Sequence, residues 1–115
     1  MLSDEDEHSL RLPSKKEVKL TITVRATDSF HGKRISNLLF DLFKDKGFES
    51  VVMVQADRGY DQRGFATSTV LGLSLKVPVT IETVEESGKI RPLLPMIKEI
   101  VGAQGLITTG DVDVY

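Results

Sequence analysis

The chain has 115 residues, 40% of them hydrophobic and 28% charged, and a formal net charge of −2. That length fits one domain with a core of moderate size, and the charge balance lacks the basic footprint of a dedicated nucleic-acid binder. With no cysteine and only two histidines, His8 and His31, disulfides, thiolate zinc sites and cysteine nucleophiles are excluded, and no cofactor is implied.

The first residues, Met1-Leu2-Ser3-Asp4-Glu5-Asp6-Glu7, are acidic where a secretory signal would be basic. No apolar run approaches the ~20 residues that span a bilayer, so a cytoplasmic protein without membrane insertion is expected. Residues 1–16 alternate charge with Ser and Pro and read as a flexible arm. The folded domain is expected over 17–115. Its first strand is clear: Val18, Leu20, Ile22, Val24 and Ala26 alternate with Lys19, Thr21, Thr23 and Arg25, the period of a half-buried strand.

A polar joint follows, Asp28-Ser29-Phe30-His31-Gly32-Lys33. Asp28 or Ser29 is expected to cap the next helix through its side chain. The Asp28, His31 and Lys33 set also permits acid-base work, and a helix start offers N–H groups to an anion. Beyond it, Ile35, Leu38, Leu39, Leu42 and Phe43 fall on one helical stripe, which Gly47 ends. The second strand, Val51-Val52-Met53-Val54, is apolar on both faces. Helices can cover one face; a neighbouring subunit is expected to cover the other.

Periodicity fails from 57 to 71, and a loop that long is usually functional or mobile. It carries Arg58, Gly59, Arg63 and Gly64 with Tyr60 and Phe65. Glycines allow close backbone approach and arginines suit phosphate or carboxylate; no Gly-Lys-Ser/Thr makes it a Walker loop. The same mixture suits insertion into a partner protein. The third strand alternates from Val77 to Val84. Ser87 is expected to cap a second helix with Ile90, Leu93, Leu94, Ile97, Ile100 and Val101 on its stripe. Pro92 and Pro95 mean that this helix either starts near Arg91 or kinks there. Lys89 and Arg91 flank its start as candidate anion donors. Val112 and Val114 give a short last strand.

The order is strand-helix-strand written twice, βαββαβ, an α+β ferredoxin-like plan. Right-handed connections put the first and third strands in the middle of a four-stranded antiparallel sheet with both helices on one face. The other face, with Lys19, Thr21, Thr23, Arg25, Thr80 and Glu82, is polar and suits a wet contact between subunits. It lacks the outward aromatics of an RNA-recognition sheet.

Taken in order, Asp28…His31-Gly32-Lys33, Gly59-Tyr60, Leu73-Ser74…Val77-Pro78-Val79…Ile81-Glu82…Val84, Ile90…Leu93-Leu94-Pro95 and Gly105-Leu106-Ile107-Thr108…Asp111-Val112 resemble the PII-like signalling proteins grouped as domain of unknown function 190. The resemblance covers about Val18 to Tyr115. It implies a homotrimer of ferredoxin-like subunits around a three-fold axis, and a partner-touching loop between strands two and three. In PII proteins proper, adenine nucleotides bind in clefts between subunits at the base of that loop. Three departures bear on that cradle: Gln55-Ala56 stands where the family usually has Arg-Gly, and Asp61 where it has Gly. The reading is a non-catalytic trimeric regulatory module that binds a small anionic effector, a nucleotide being the candidate. Its ligand residues would be His31, Gly32, Lys33, Arg58, Gly59, Arg63, Lys89 and Arg91, with no metal. The alternatives are a structural or divalent-cation tolerance-type trimer without a nucleotide, and a small enzyme with His31 as base.

Overall fold

The computed structural model describes residues 12–67 and 76–115. Strand β1 (Lys15–Arg25) leads into a small hairpin of β2 (Ser29–Phe30) and β3 (Lys33–Arg34), then helix α1 (Ile35–Asp45) and strand β4 (Val51–Gln55). A second hairpin, β5 (Arg58–Asp61) and β6 (Gly64–Thr67), precedes β7 (Pro78–Glu85). Helix α2 (Ser87–Ile90), a 3-10 turn (Arg91–Leu93), helix α3 (Leu94–Val101) and strand β8 (Leu106–Val114) complete the fold.

The main sheet has the order β4-β7-β1-β8, with every neighbouring pair antiparallel. The strand from Pro78 and the first strand are therefore central, as the connection rule predicts. The alternation in β1 is read directly as burial: Val18, Leu20, Ile22 and Val24 are buried and join Val79, Ile81, Leu39, Phe43, Ile97 and Val101 in one core.

Helix α1 ends on a Schellman motif. Gly47, at φ +73°, lets its N–H reach Lys44 O (3.0 Å) and the Phe48 N–H reach Phe43 O (3.0 Å). Phe48 then stacks on Phe43, ring centroids 5.1 Å apart. At the other end of the layer, a Cβ on Gly105 would collide with Val101 Cγ1 and crowd Val24 and the Thr23 carbonyl. Only glycine fits where the chain turns from α3 into β8.

The opposite face carries a polar stripe down its centre. Lys19 pairs with Glu82 (3.0 Å), and the hydroxyls of Thr23 and Thr80 lie 3.1 Å apart. Apolar side chains flank the stripe: Val52 and Val54, 52% and 57% exposed, on one edge, and Leu106, 61% exposed, on the other.

Several expectations are corrected. Lys15 and Lys16 belong to β1, so the ordered strand begins inside the segment expected as an arm; residues 1–11 lie outside the described residues. The 57–71 stretch holds a regular hairpin over Arg58–Thr67, and its last four residues, 68–71, also lie outside them. Neither Asp28 nor Ser29 caps α1 by its side chain, because the β2–β3 hairpin intervenes; Arg34 holds the cap position with no side-chain cap bond. Ser87 is not a side-chain cap either: Glu86 takes that position, and Ser87 Oγ accepts from Arg91 Nε at 2.8 Å. The proline pair sits where the helix is interrupted: a 3-10 segment separates the single turn of α2 from the regular helix, which starts at Leu94. Pro92, which has no N–H and fits a first turn, lies in the 3-10 segment, and Pro95 opens α3. The last strand is longer than expected because Leu106–Gly110 also pairs with β1.

Candidate functional site

One end of the sheet gathers a cluster of arginine and aspartate side chains. β1 ends there, β4 ends there, β7 begins there, and both small hairpins and the start of α1 lie beside it. Arg25 is the last residue of β1. The chain turns at once, the Asp28 N–H donating to Arg25 O (2.9 Å) and the Arg25 N–H to Asp28 Oδ2 (2.8 Å). The Asp28 carbonyl accepts the Ile35 N–H at 2.9 Å. Asp28 therefore serves the helix start through its backbone and keeps its carboxylate for another partner.

That partner is Arg63, from the turn of the β5–β6 hairpin. Its Nη1 and Nη2 donate to Asp28 Oδ1 (2.5 Å) and Oδ2 (3.1 Å), a two-point contact of the kind a guanidinium makes best. Within the turn, the Arg63 N–H donates to Asp61 Oδ1 (2.7 Å), closing an Asx turn, and Gly64 adopts φ +113°. Arg63 Nε and Nη2 also reach Asp61 Oδ2, at 3.2 and 2.9 Å. Arg25 forks onto the same carboxylate, Nε to Oδ2 at 3.1 Å and Nη2 to Oδ1 at 2.9 Å. Two arginines and two aspartates thus fasten the hairpin to the strand end. Burial pushes the Asp61 carboxyl up, but hydrogen bonds from the Arg63 side chain and N–H and from Arg25 outweigh it and hold the group at about 2.

Beside this cluster lies a pocket of about 160 Å³ between Thr23, Arg25, Tyr60, Pro78, Gln104 and Leu106. Tyr60 stands over it, 82% exposed. Gly59 packs on Pro78, where a Cβ would lie 2.7 Å from Pro78 Cγ. Gly59 is therefore a packing residue of the hairpin as much as a point of close approach for a ligand.

The eight residues singled out in the sequence divide into three groups. Arg58, Gly59 and Arg63 share the β5–β6 hairpin, Arg58 exposed and Arg63 engaged with both aspartates. His31 and Gly32 form the two-residue turn of the β2–β3 hairpin at φ +52° and +79°, the pairing that a type I′ turn requires, and Lys33 follows, exposed. His31 stacks on Phe30 with centroids 4.1 Å apart. The Arg63–Asp28 contact ties the second hairpin to the residue at the base of the first. Lys89 and Arg91 lie past the far end of β7, a strand of eight residues spanning about 23 Å, and Lys89 pairs with Glu85 at 3.5 Å. Within one chain they do not meet the other six.

Sequence reasoning missed Arg25, counted only as part of the polar face, and missed that Asp61 is a partner of arginine. The signal available was Asp61-Gln62-Arg63-Gly64, a hairpin-turn tetrapeptide between two short runs. Among the described residues, no three His, Asp or Glu side chains come close enough to hold a metal ion, and no helix is long and apolar enough to cross a membrane.

The family described as Uncharacterized ACR, domain of unknown function 190, matches residues 17–114. A UPF0166 protein of Methanocaldococcus jannaschii is 31% identical over 96 residues, covering 84% of this chain and 89% of the relative. A UPF0166 protein of Aquifex aeolicus is 32% identical over 101 residues, covering 86% and 93%. Among solved structures, the fold is similar to that of CPII, a nitrogen regulatory PII-like protein from Thiomonas intermedia, bound to ADP, AMP and bicarbonate. The TM-score is 0.65 at 17% identity, over 90% of this chain and 92% of that one. The apo form of CPII matches with a TM-score of 0.58 at 17% identity, over 89% and 95%. The four-stranded sheet with its helices is a PII-like fold.

Proposed function

The chain belongs to the domain of unknown function 190 family, and we propose that it works as a non-catalytic regulatory module, three copies of which bind a small anionic effector, a nucleotide, in the clefts between them. The observation that carries this reading is the convergence at one end of the sheet of the 28–33 turn and the 58–67 hairpin, joined by Arg63 and Asp28. From that junction Arg58 and Tyr60 stand free in solvent, a cation for phosphate and a ring for a base. His31, Gly32 and Lys33 would contribute from one side, and Arg58, Gly59 and Arg63 from the other. Lys89 and Arg91 can join only from a neighbouring copy. The ADP, AMP and bicarbonate bound to CPII support the same class of ligand.

Association of three copies rests on the open sheet face, whose valine and leucine edges flank a polar stripe. Burying one such side chain contributes about 1.5–3 kcal/mol. Sedimentation at micromolar concentration should therefore give one species of three chains; a clean monomer counts against the module. In that assembly Arg58→Ala should weaken nucleotide binding about tenfold, the loss of one charge-assisted contact of about 1.5–3 kcal/mol. Lys44→Ala, an exposed lysine in the last turn of α1, should leave affinity unchanged. Equal affinity for wild type and Arg58→Ala would remove the hairpin from the site.

A further inference from the structure

We propose that Arg25 and Arg63 are a phosphoryl-binding pair, and that Asp61 fills this site as a tethered surrogate ligand which the effector must displace. The inference rests on the effector reading above and names the residues that take its charge. Five hydrogen bonds converge on the Asp61 carboxylate, two from Arg25 and three from Arg63. The Asx turn needs one of these, the Arg63 N–H. The other four come from two guanidinium groups whose forks fit any planar or tetrahedral oxyanion. Arg25 is only 11% exposed at its side chain, yet the pocket below Tyr60 opens directly against it, with room for a phosphoryl group.

Of the two carboxylates, Asp61 is the exchangeable one. Asp28 is bound into the strand end through the Arg25 N–H, and its carbonyl holds the first N–H of α1. Asp61 sits in the turn of a two-stranded hairpin that pairs with no strand of the main sheet, so lifting it breaks none of that sheet's ladder. Without Asp61, Arg63 keeps Asp28 as its partner, while Arg25 keeps the neutral Gly64 carbonyl and has its positive charge to offer. A short tether gives Asp61 an effective concentration in the millimolar range or above, so an effector binding with lower intrinsic Kd is held to a weaker apparent one.

Calorimetry on the full chain tests this with two probes, ADP and inorganic pyrophosphate. Asp61→Asn keeps the shape of the turn and removes the charge, and should bind ADP at least about tenfold tighter than wild type. Adding Arg25→Gln to that variant should abolish the gain. Asp61→Ser, whose hydroxyl can still accept the Arg63 N–H, repeats the test should Asp61→Asn fold poorly. Equal or weaker ADP affinity in a folded Asp61 variant overturns the proposal and leaves the effector reading standing. Pyrophosphate binding by Asp61→Asn, with no ADP binding by any form, supports the arginine pair while the nucleotide reading fails. Absence of binding by Asp61→Asn to both probes overturns the proposal.

Discussion

Phe43→Ala should destabilise the fold by about 3–5 kcal/mol, a large share of the roughly 5–15 kcal/mol that holds a domain of this size. Phe43 is fully buried, lies on the stripe of α1 that faces the sheet, and stacks on Phe48 at 5.1 Å. It is also the residue whose carbonyl accepts the closing hydrogen bond of the Schellman motif. Its removal opens a cavity beneath the helix and takes away the apolar contact that fixes the exit toward β4. Urea unfolding at one fixed protein concentration measures the loss, since association adds to apparent stability. Phe40→Ala, on the outer side of the same helix and 36% exposed, should cost less than about 1 kcal/mol. Equal costs at the two positions would mean that the helix faces the sheet by another stripe.

Arg63→Ala should release the β5–β6 hairpin. The substitution strands the Asp28 carboxylate, 16% exposed at its side chain, without the cation that meets both its oxygens. A fully buried pair broken in this way costs about 3–5 kcal/mol; partial exposure of this one reduces the figure to about 2 kcal/mol. The pH dependence gives a second readout. Because the Asp61 carboxyl lies at about 2, below its ordinary 3.8, its contribution is complete above pH ~4 and is lost as pH falls through about 2. In Arg63→Ala the carboxyl should titrate higher, nearer 3.8, leaving Arg25 as its remaining guanidinium partner. Carboxyl NMR titration reads this directly. An unmoved Asp61 midpoint in Arg63→Ala would show that Arg25 alone holds the hairpin.

The long elements were legible because their burial periods are long enough to be counted. Eleven residues of β1 and eleven of α1 show periods of two and 3.6 without help from anything distant. The β5–β6 hairpin was not, since strands of four residues are too short for alternation to show. Its glycines suggested freedom, yet Gly59 is there to admit Pro78 and Gly64 to allow a positive φ. Asp28 invited a capping assignment, since local preference favours one. A partner 35 residues away takes its carboxylate instead, and no local rule reports a contact at that separation. The prolines forecast an interruption of the second helix and left its form open. Of the candidate site, the hairpin arginines and the 28–33 turn could be named from residue type, whereas the Arg25–Asp61 contact follows only from β1 ending where that hairpin folds back.

A calorimetric titration of the wild-type chain with ADP, at a concentration where sedimentation gives three associated copies, tests the effector claim most directly. The regulatory-module reading predicts saturable heat with no more than one site per chain, weakened about tenfold by Arg58→Ala. A flat titration with ATP, ADP, AMP and cyclic nucleotides alike, up to millimolar concentration, would contradict it and leave the PII-like fold without a nucleotide to sense.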